Sequence, residues 1–291
     1  LNKSLRNFEN WKGRTNMPIG TYTMLKDTKP SFGEKDTTSA FYYAYGPGSG
    51  AVKKYGKISG VITLPERVRL VGTGEGRNAY ISLGLSSTNL GGVDIGLRNR
   101  GLGCDSNELK VHVKSKDSGY GWHPYCTEMD RRIDAGYYFD GLDNIHKERV
   151  VTGGMVSHND ACYAPDGTSA ARFTIVPNLN GKSIHFKVEW LDGKGNMIDA
   201  ASNFEREIKL EGTYQWDNFC RFASLVTPDN TATMTDSTYV VNGGFSEMKI
   251  GSANWGIYTK QVQLSWIMNE PKCKVSSATA TGEKFTIDHW A

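Results

Sequence analysis

The stretch of sequence that decides the fold lies between Ala171 and Asn196. It reads Ala171-Arg-Phe-Thr-Ile-Val-Pro177, then Ile184-His-Phe-Lys-Val-Glu-Trp190, then the turn Asp192-Gly-Lys-Gly-Asn196. In the second run every other side chain is apolar, which predicts a strand with one buried face. The Asp-Gly pair that follows it is a strong hairpin signal. This part of the chain therefore predicts antiparallel β-structure.

Similar short runs extend in both directions, with about a dozen strands spaced roughly 8–15 residues apart, as in all-β folds. The 33 glycines suit tight turns between such strands. The one helix candidate, residues 200–207, is short. The sequence therefore predicts an all-β protein, a two-sheet antiparallel β-sandwich of the concanavalin A-like jelly-roll type. The other predicted strands are 39–45, 57–63, 67–71, 79–85, 92–97, 108–114, 133–139, 207–210, 219–226, 239–241, 245–250, 257–267 and 284–287.

The chain shows no fixed internal repeat and no clear dividing linker, so one large domain is preferred. Residues 1–40 are polar and are predicted to form an extended N-terminal arm. Residues 41–291 are predicted to form a single β-sandwich domain.

Charge and hydropathy narrow the range of partners. Lys plus Arg number 34 against 31 Asp plus Glu, for a net charge of +3, which gives little steering toward a polyanion. No nucleic-acid partner is therefore predicted. No run of 18 apolar residues exists, so no membrane span is predicted. The chain begins at Leu1, which hints at a mature exported protein.

Five cysteines are spread widely along the chain, as inter-strand disulfides of a sandwich would be. Cys104 and Cys126 flank one polar segment and are the favoured pair, and the odd count leaves at least one cysteine unpaired or paired with another chain. The alternative is five reduced thiols in a cytosolic protein. Disulfides are preferred, so the predicted location is secreted or cell surface. The cysteines are Cys104, Cys126, Cys162, Cys220 and Cys273.

Three segments carry a resemblance to a known fold. They are Tyr80–Leu85 with Gly92–Leu97, then Gly121-Trp-His-Pro124, then the hairpin from Lys182 to Asn196. Their order resembles the concanavalin A-like jelly-roll group of secreted β-sandwiches, in particular the fungal-type glutamic peptidases. Those peptidases place a glutamine just before the Gly-Val-Asp strand, where this chain has Gly91 and Gly92, and their catalytic glutamate has no clear counterpart. The resemblance therefore implies the fold and not the peptidase activity.

Titratable residues on predicted strands and loops give the catalytic candidates. Asp94, Glu189 and Glu247 are candidate carboxylates for glycoside hydrolysis, which needs two such groups facing one groove. The alternative is that they are solvated strand positions. His158 with His185 is a candidate lyase-type base site, against surface histidines as the alternative. No metal site or cofactor is predicted, although a single calcium ion held by carbonyls is left open.

Aromatic residues in or beside predicted loops give the binding candidates. Exposed Trp and Tyr rings suit stacking on sugar rings, and polar neighbours would bond the hydroxyls. The alternative is that these rings cap the two ends of the sandwich core. The predicted ligand-binding residues are Trp122, Tyr125, Trp216, Asp217, Trp255 and Tyr258.

These observations favour a secreted binding protein that recognises a carbohydrate, cell-wall or cell-surface ligand through loop aromatics. The first alternative is a glycan-acting hydrolase or lyase on the same fold, which would need a groove with convergent titratable residues. The second alternative is a surface structural or interaction protein, which would need an apolar patch or an uncovered strand edge.

Overall fold

The fold is taken from a computed structural model, and it describes the chain in segments. The described residues are 24–25, 40–45, 56–69, 72–73, 78–87, 91–100, 122–130, 137–140, 164–210, 212–214, 216, 218–226, 233–234, 239–251, 253–254, 265–268, 273–279 and 281–288.

Within these segments nearly all of the regular structure is β. A single 3-10 turn, Ala200–Ser202, is the exception. In chain order the strands are β1 (Met24–Leu25), β2 (Ala40–Tyr45), β3 (Ile58–Thr63), β4 (Arg67–Arg69), β5 (Gly72–Thr73), β6 (Asn78–Ser87), β7 (Gly91–Arg100), β8 (Trp122–Asp130), β9 (Tyr137–Asp140), β10 (Ala170–Pro177), β11 (Ser183–Leu191), β12 (Phe204–Lys209), β13 (Asn218–Val226), β14 (Thr233–Met234), β15 (Tyr239–Ile250), β16 (Ala253–Asn254), β17 (Ser265–Met268), β18 (Cys273–Thr279) and β19 (Gly282–Asp288).

The strands form two large sheets. The front sheet has the order β1-β17-β2-β13-β6-β7-β8-β9. The back sheet has the order β12-β11-β10-β3-β15-β19-β18, with β4 and β16 also paired to β15. Strands β5 and β14 form a small separate ribbon, and the described pairings are antiparallel except for β1 with β17. The predicted all-β, two-sheet antiparallel sandwich is confirmed.

Alternate residues of the two sheets share one hydrophobic core. In β6 the side chains of Ile81, Leu83 and Leu85 are fully buried, and in β11 those of Phe186 and Trp190 are as well. Burying one such side chain contributes about 1.5–3 kcal/mol. Period-two alternation in the sequence therefore does place one face of each strand in the core.

A charged pair crosses this core between the sheets. Arg221 of β13 donates from Nε to Glu283 Oε1 at 2.9 Å and from Nη2 to Glu283 Oε2 at 2.6 Å. Glu283 belongs to β19 of the back sheet, and both side chains are fully buried. Each residue lies on its strand among core-facing neighbours, so the ion pair joins the two sheets from within.

Strand β15 bends at two β-bulges. Its register shifts between Val240 and Gly243 against β19, and between Ser246 and Lys249 against β3. Asn242 and Glu247 lie inside these shifts with φ of 58° and 54°. This left-handed backbone is uncommon for residues other than glycine, and bulges are where it is used.

The short helix candidate 200–207 is a 3-10 turn followed by the edge strand β12. Glu205, Arg206 and Glu207 lie on this edge strand of the back sheet. One interpretation of the sequence was wrong in secondary structure. The segment around Trp122, interpreted as loop, is the long strand β8. The predicted strand 108–114 lies outside the described residues.

Several other expectations are left as predictions. Most of the proposed N-terminal arm lies outside the described residues. Cys126 is buried in β8, and the side chains of the other four cysteines are not described, so the favoured pair of Cys104 with Cys126 stays a prediction. No helix among the described residues is long and apolar enough to cross a membrane.

Gly96 allows the close approach of two front-sheet strands, and this gives a stability prediction. A Cβ at Gly96 would lie 2.5 Å from the Ile81 carbonyl oxygen and 2.6 Å from Ser82 Cα, both backbone atoms. We expect Gly96→Ala to lower the free energy of unfolding by about 2–3 kcal/mol, because β6 and β7 must move apart. Urea unfolding monitored by circular dichroism measures this.

Gly193→Ala is the matched control, because a Cβ there meets only Ser169 Oγ at 3.5 Å. That change should stay within about 0.5 kcal/mol of the wild type. Equal effects of the two substitutions would show that β6 and β7 are not held as closely as described.

Candidate functional site

The outward side of the front sheet carries an unusual group of polar residues. On β6, β7 and β8 these residues alternate with core residues such as Ile81, Val93 and Cys126. We call this group the polar face. Its members are Tyr80, Ser82, Gly84, Asp94, Gly96, Arg98, His123 and Tyr125.

The polar face is unusual because much of it is buried. Ser82 and His123 are 0% exposed, Arg98 is 5% exposed and Tyr125 is 7% exposed. The outward side of an antiparallel sheet is normally solvated. Burying polar and charged groups costs free energy, so a cluster of them on such a surface marks a candidate functional site.

Asp94 is the acidic group of this face. Burial raises the pKa of its carboxyl from 3.8 to about 7, because the charged form loses hydration. The residue as a whole is partly exposed. Near neutral pH a large share of Asp94 is therefore protonated and able to donate a proton.

Cross-strand pairing places Asp94 in a small square with Ser82 and two glycines. Gly84 of β6 pairs with Asp94 of β7, and Ser82 pairs with Gly96. Asp94 and Ser82 are thus diagonal neighbours on one face, with Cα atoms about 7–8 Å apart. Glycines occupy the other two corners, so Asp94 and Ser82 carry the only side chains of these four residues.

A cation and two aromatic rings adjoin the square. Arg98 Cζ lies 5.7 Å from the ring centroids of both Tyr80 and Tyr125. The two rings lie 5.0 Å apart with their planes tilted by 54°. His123 pairs with Arg98 in the register of β7 and β8. The face thus combines a proton-donating acid, a hydroxyl, a guanidinium and two phenol rings.

Two of the predicted ligand-binding residues lie on β8, on opposite sides of the front sheet. Trp122 points into the core and is 0% exposed, whereas Tyr125 belongs to the polar face. The structure therefore does not bring the two rings together. Their placement on a strand, rather than in a loop, is a correction of the sequence interpretation.

The remaining predicted binding residues give no exposed platform among the described residues. Trp216 is 2% exposed, stacks on Tyr214 at 5.2 Å and donates from Nε1 to the Asn178 carbonyl at 2.9 Å. Asp217, Trp255 and Tyr258 lie outside the described residues, and their role stays a prediction. Sugar stacking on Trp122 or Trp216 would first require their neighbours to move.

The other catalytic candidates lie on the back sheet. Glu189 accepts from Lys187 Nζ at 3.0 Å and lies 3.8 Å from Arg172, and His185 Nε2 lies 3.2 Å from Glu205. Glu247 is exposed at a bulge. Of the three proposed carboxylates, only Asp94 lies on the front sheet, so the three do not face one groove. His158 lies outside the described residues.

Sequence reasoning singled out Asp94 and missed its diagonal neighbour Ser82, and it missed Arg98 and His123 as further members of the polar face. A weak signal was present, since Ser82 interrupts an apolar strand between Ile81 and Leu83. Within the described segments, no three His, Cys, Asp or Glu residues are grouped so that they could hold a metal ion. Through Asp94 the polar face can donate a proton near neutral pH.

Comparison with known proteins adds a distant likeness of overall shape. No protein-family profile matches the chain, and no curated protein matches it. The chain is similar to a solved structure of scytalido-glutamic peptidase with a transition state analog inhibitor, with 11% identity and a TM-score of 0.44. It is also similar to SCP-B, a member of the eqolisin family of peptidases solved with the tripeptide Ala-Ile-His, with 10% identity and a TM-score of 0.36. Each likeness covers 85% of this chain and 97% of the other.

Proposed function

We propose that this chain is a hydrolase that acts on glycans and uses Asp94 as its proton donor. One observation carries the proposal: the carboxyl of Asp94, a partly exposed residue, has a pKa of about 7 and lies on a polar, mostly buried sheet face. General acids work best when their pKa lies near the operating pH. A carboxyl tuned this way by burial is a recurring feature of acid catalysts.

The proposed step is the hydrolysis of a glycosidic bond by a single carboxyl of the described polar face, which departs from the pair of carboxylates that glycosidases usually use. The Asp94 carboxyl gives its proton to the bridging oxygen, and the bond between that oxygen and the sugar carbon breaks. A water molecule adds its oxygen to that carbon and returns a proton to the Asp94 carboxylate. The products are two shorter chains, one with a new reducing end, and Asp94 is restored to its starting state.

A glycan suits the composition of the polar face. Tyr80 is a partly exposed aromatic residue beside polar groups, and this combination is favourable for sugar binding. The buried Tyr125 ring packs against it with ring centroids 5.0 Å apart. The proposal includes a secreted or cell-surface location, and it keeps the concanavalin A-like grouping as a hypothesis about ancestry. A carbohydrate-binding protein without catalysis is the second candidate, supported by the same partly exposed Tyr80.

A reducing-end assay on a panel of plant and microbial polysaccharides tests the proposal. We expect the wild type to release reducing ends, with kcat/KM falling above pH 7 as Asp94 ionises. Asp94→Asn should lower kcat/KM by at least about 100-fold, the usual contribution of a general acid. Asp166→Asn, at an exposed turn, is the matched control and should leave activity unchanged.

The same experiment separates the two candidates. Binding of a polysaccharide without new reducing ends would favour the carbohydrate-binding protein. Activity that survives in Asp94→Asn would remove Asp94 from the mechanism.

A further inference from the structure

Strand β12 forms one end of the back sheet. Among the described strands it pairs with β11 alone, and its residues Glu205 and Lys209 are exposed. A free strand edge offers unpaired backbone N–H and C=O groups, to which a strand of another chain can add. Proteins that stay apart in solution therefore carry a feature that closes such an edge.

The backbone groups on the free side of β12 follow from its register with β11. In an antiparallel pair, successive residues direct their backbone groups alternately toward the neighbouring strand and away from it. Leu210, directly after the strand, donates from its backbone N to the Lys182 carbonyl at 2.8 Å. The register between the two strands is continuous, so even-numbered residues face β11. The backbone groups of Glu205, Glu207 and Lys209 therefore face the free side.

Arg206 binds one of these free backbone groups. Its Nη1 donates to the Glu205 carbonyl oxygen at 2.7 Å, and its Cζ lies 5.8 Å from the Phe204 ring centroid. By alternation Arg206 shares one side of the strand with Phe204 and Ile208, which are both buried. Its Nε is buried and has no hydrogen-bond partner in the described part of the chain. Such an arrangement is rare in proteins, so it calls for a specific explanation.

We propose that Arg206 prevents the free edge of β12 from pairing with β12 of a second copy of this chain. An antiparallel pairing centred on Glu207 would place Glu205 of each copy opposite Lys209 of the other, which is a favourable charge pattern. The same pairing uses the Glu205 carbonyl that Arg206 already binds, and it places Arg206 opposite Ile208 of the second copy. The guanidinium would lose its acceptor and be buried against an apolar side chain, which is unfavourable.

Arg206→Thr tests this role through the mass of the protein in solution. Threonine suits a strand and leaves the Glu205 carbonyl free. By size-exclusion chromatography with light scattering at about 0.1 mM, a concentration at which open edges associate, we expect at least twice the wild-type mass. Arg172→Thr is the matched control, because it removes an exposed arginine from β10, which has a strand on each side. It should keep the wild-type mass, and circular dichroism checks that each variant is folded.

The double variant Arg206→Thr/Glu207→Pro shows whether the free edge of β12 is the contact. Proline at 207 removes the edge-facing N–H and leaves the apolar side chains in place, so the wild-type mass should return. Wild-type mass for Arg206→Thr would overturn the proposal. So would equal association of Arg172→Thr, which would make general charge loss the cause, or continued association of the double variant.

Discussion

Arg221→Met should lower the free energy of unfolding by about 3–5 kcal/mol, the largest stability loss that we expect from one substitution. Arg221 and Glu283 form a bidentate pair with both side chains fully buried between the sheets. Removing the guanidinium leaves the Glu283 carboxylate buried without its charged partner, and the desolvation cost of that carboxylate is no longer offset. Urea unfolding followed by tryptophan fluorescence at pH 7 measures the loss.

The double variant Arg221→Met/Glu283→Leu shows whether the loss comes from the charge left behind. With both charges replaced by apolar groups of similar size, we expect stability to return to within about 2 kcal/mol of the wild type or to exceed it. Should the double variant be as unstable as the single one, packing rather than charge would explain the effect. A single variant that does not fold is compatible with the prediction, provided that the double variant folds.

Asp94→Asn should change how stability depends on pH. The carboxyl has a pKa of about 7 in the folded chain and 3.8 as its ordinary value. The folded state therefore holds this proton more tightly than the unfolded state, so the stability of the wild type falls as pH rises from about 4 to 7. The full difference of about 3 pKa units corresponds to about 4 kcal/mol, and partial solvent access reduces it to about 2–4 kcal/mol.

Asparagine cannot ionise, so Asp94→Asn should be more stable than the wild type at pH 8 and lose this part of the pH dependence. Chemical unfolding at pH 4, 5, 6, 7 and 8 measures the difference between the two chains. Asp166→Asn, at an exposed residue, should follow the wild-type curve. Parallel curves for the wild type and Asp94→Asn would mean that the Asp94 carboxyl is not held at an elevated pKa.

The sequence predicts most of this fold because most strands bury one face only. Ile184–Trp190 and Ala171–Pro177 alternate clearly, and both lie within one residue of their observed strands. Strand β8 was missed because Trp122, His123, Tyr125 and Cys126 are all buried. A strand buried on both faces shows no alternation, so periodicity carries no signal for it.

The site was predicted less well, for a related reason. The sequence names Asp94 as one of three candidate carboxylates. It does not show whether the carboxyl will be buried in the fold, and so it does not show whether its pKa will be raised. The pairing of Ser82 with Gly96 depends on the β6–β7 register, and that register is set by tertiary packing. The rings of Trp122 and Trp216 were expected in exposed loops, whereas both pack inside. Exposure is decided by neighbours distant in sequence.

The order of strands in the front sheet also has a consequence for biosynthesis. The ladder at its centre joins β6 to β13, and β13 in turn joins β2. Strands β2 and β6 therefore cannot complete their pairing until β13, which lies more than 130 residues later in the chain, has been synthesised. Until Asn218–Val226 leaves the ribosome, β6 has an open edge next to apolar side chains. Folding that depends on such distant contacts is slow. Nascent chains of this protein should therefore need chaperone protection over much of translation, and expression should improve at lower temperature.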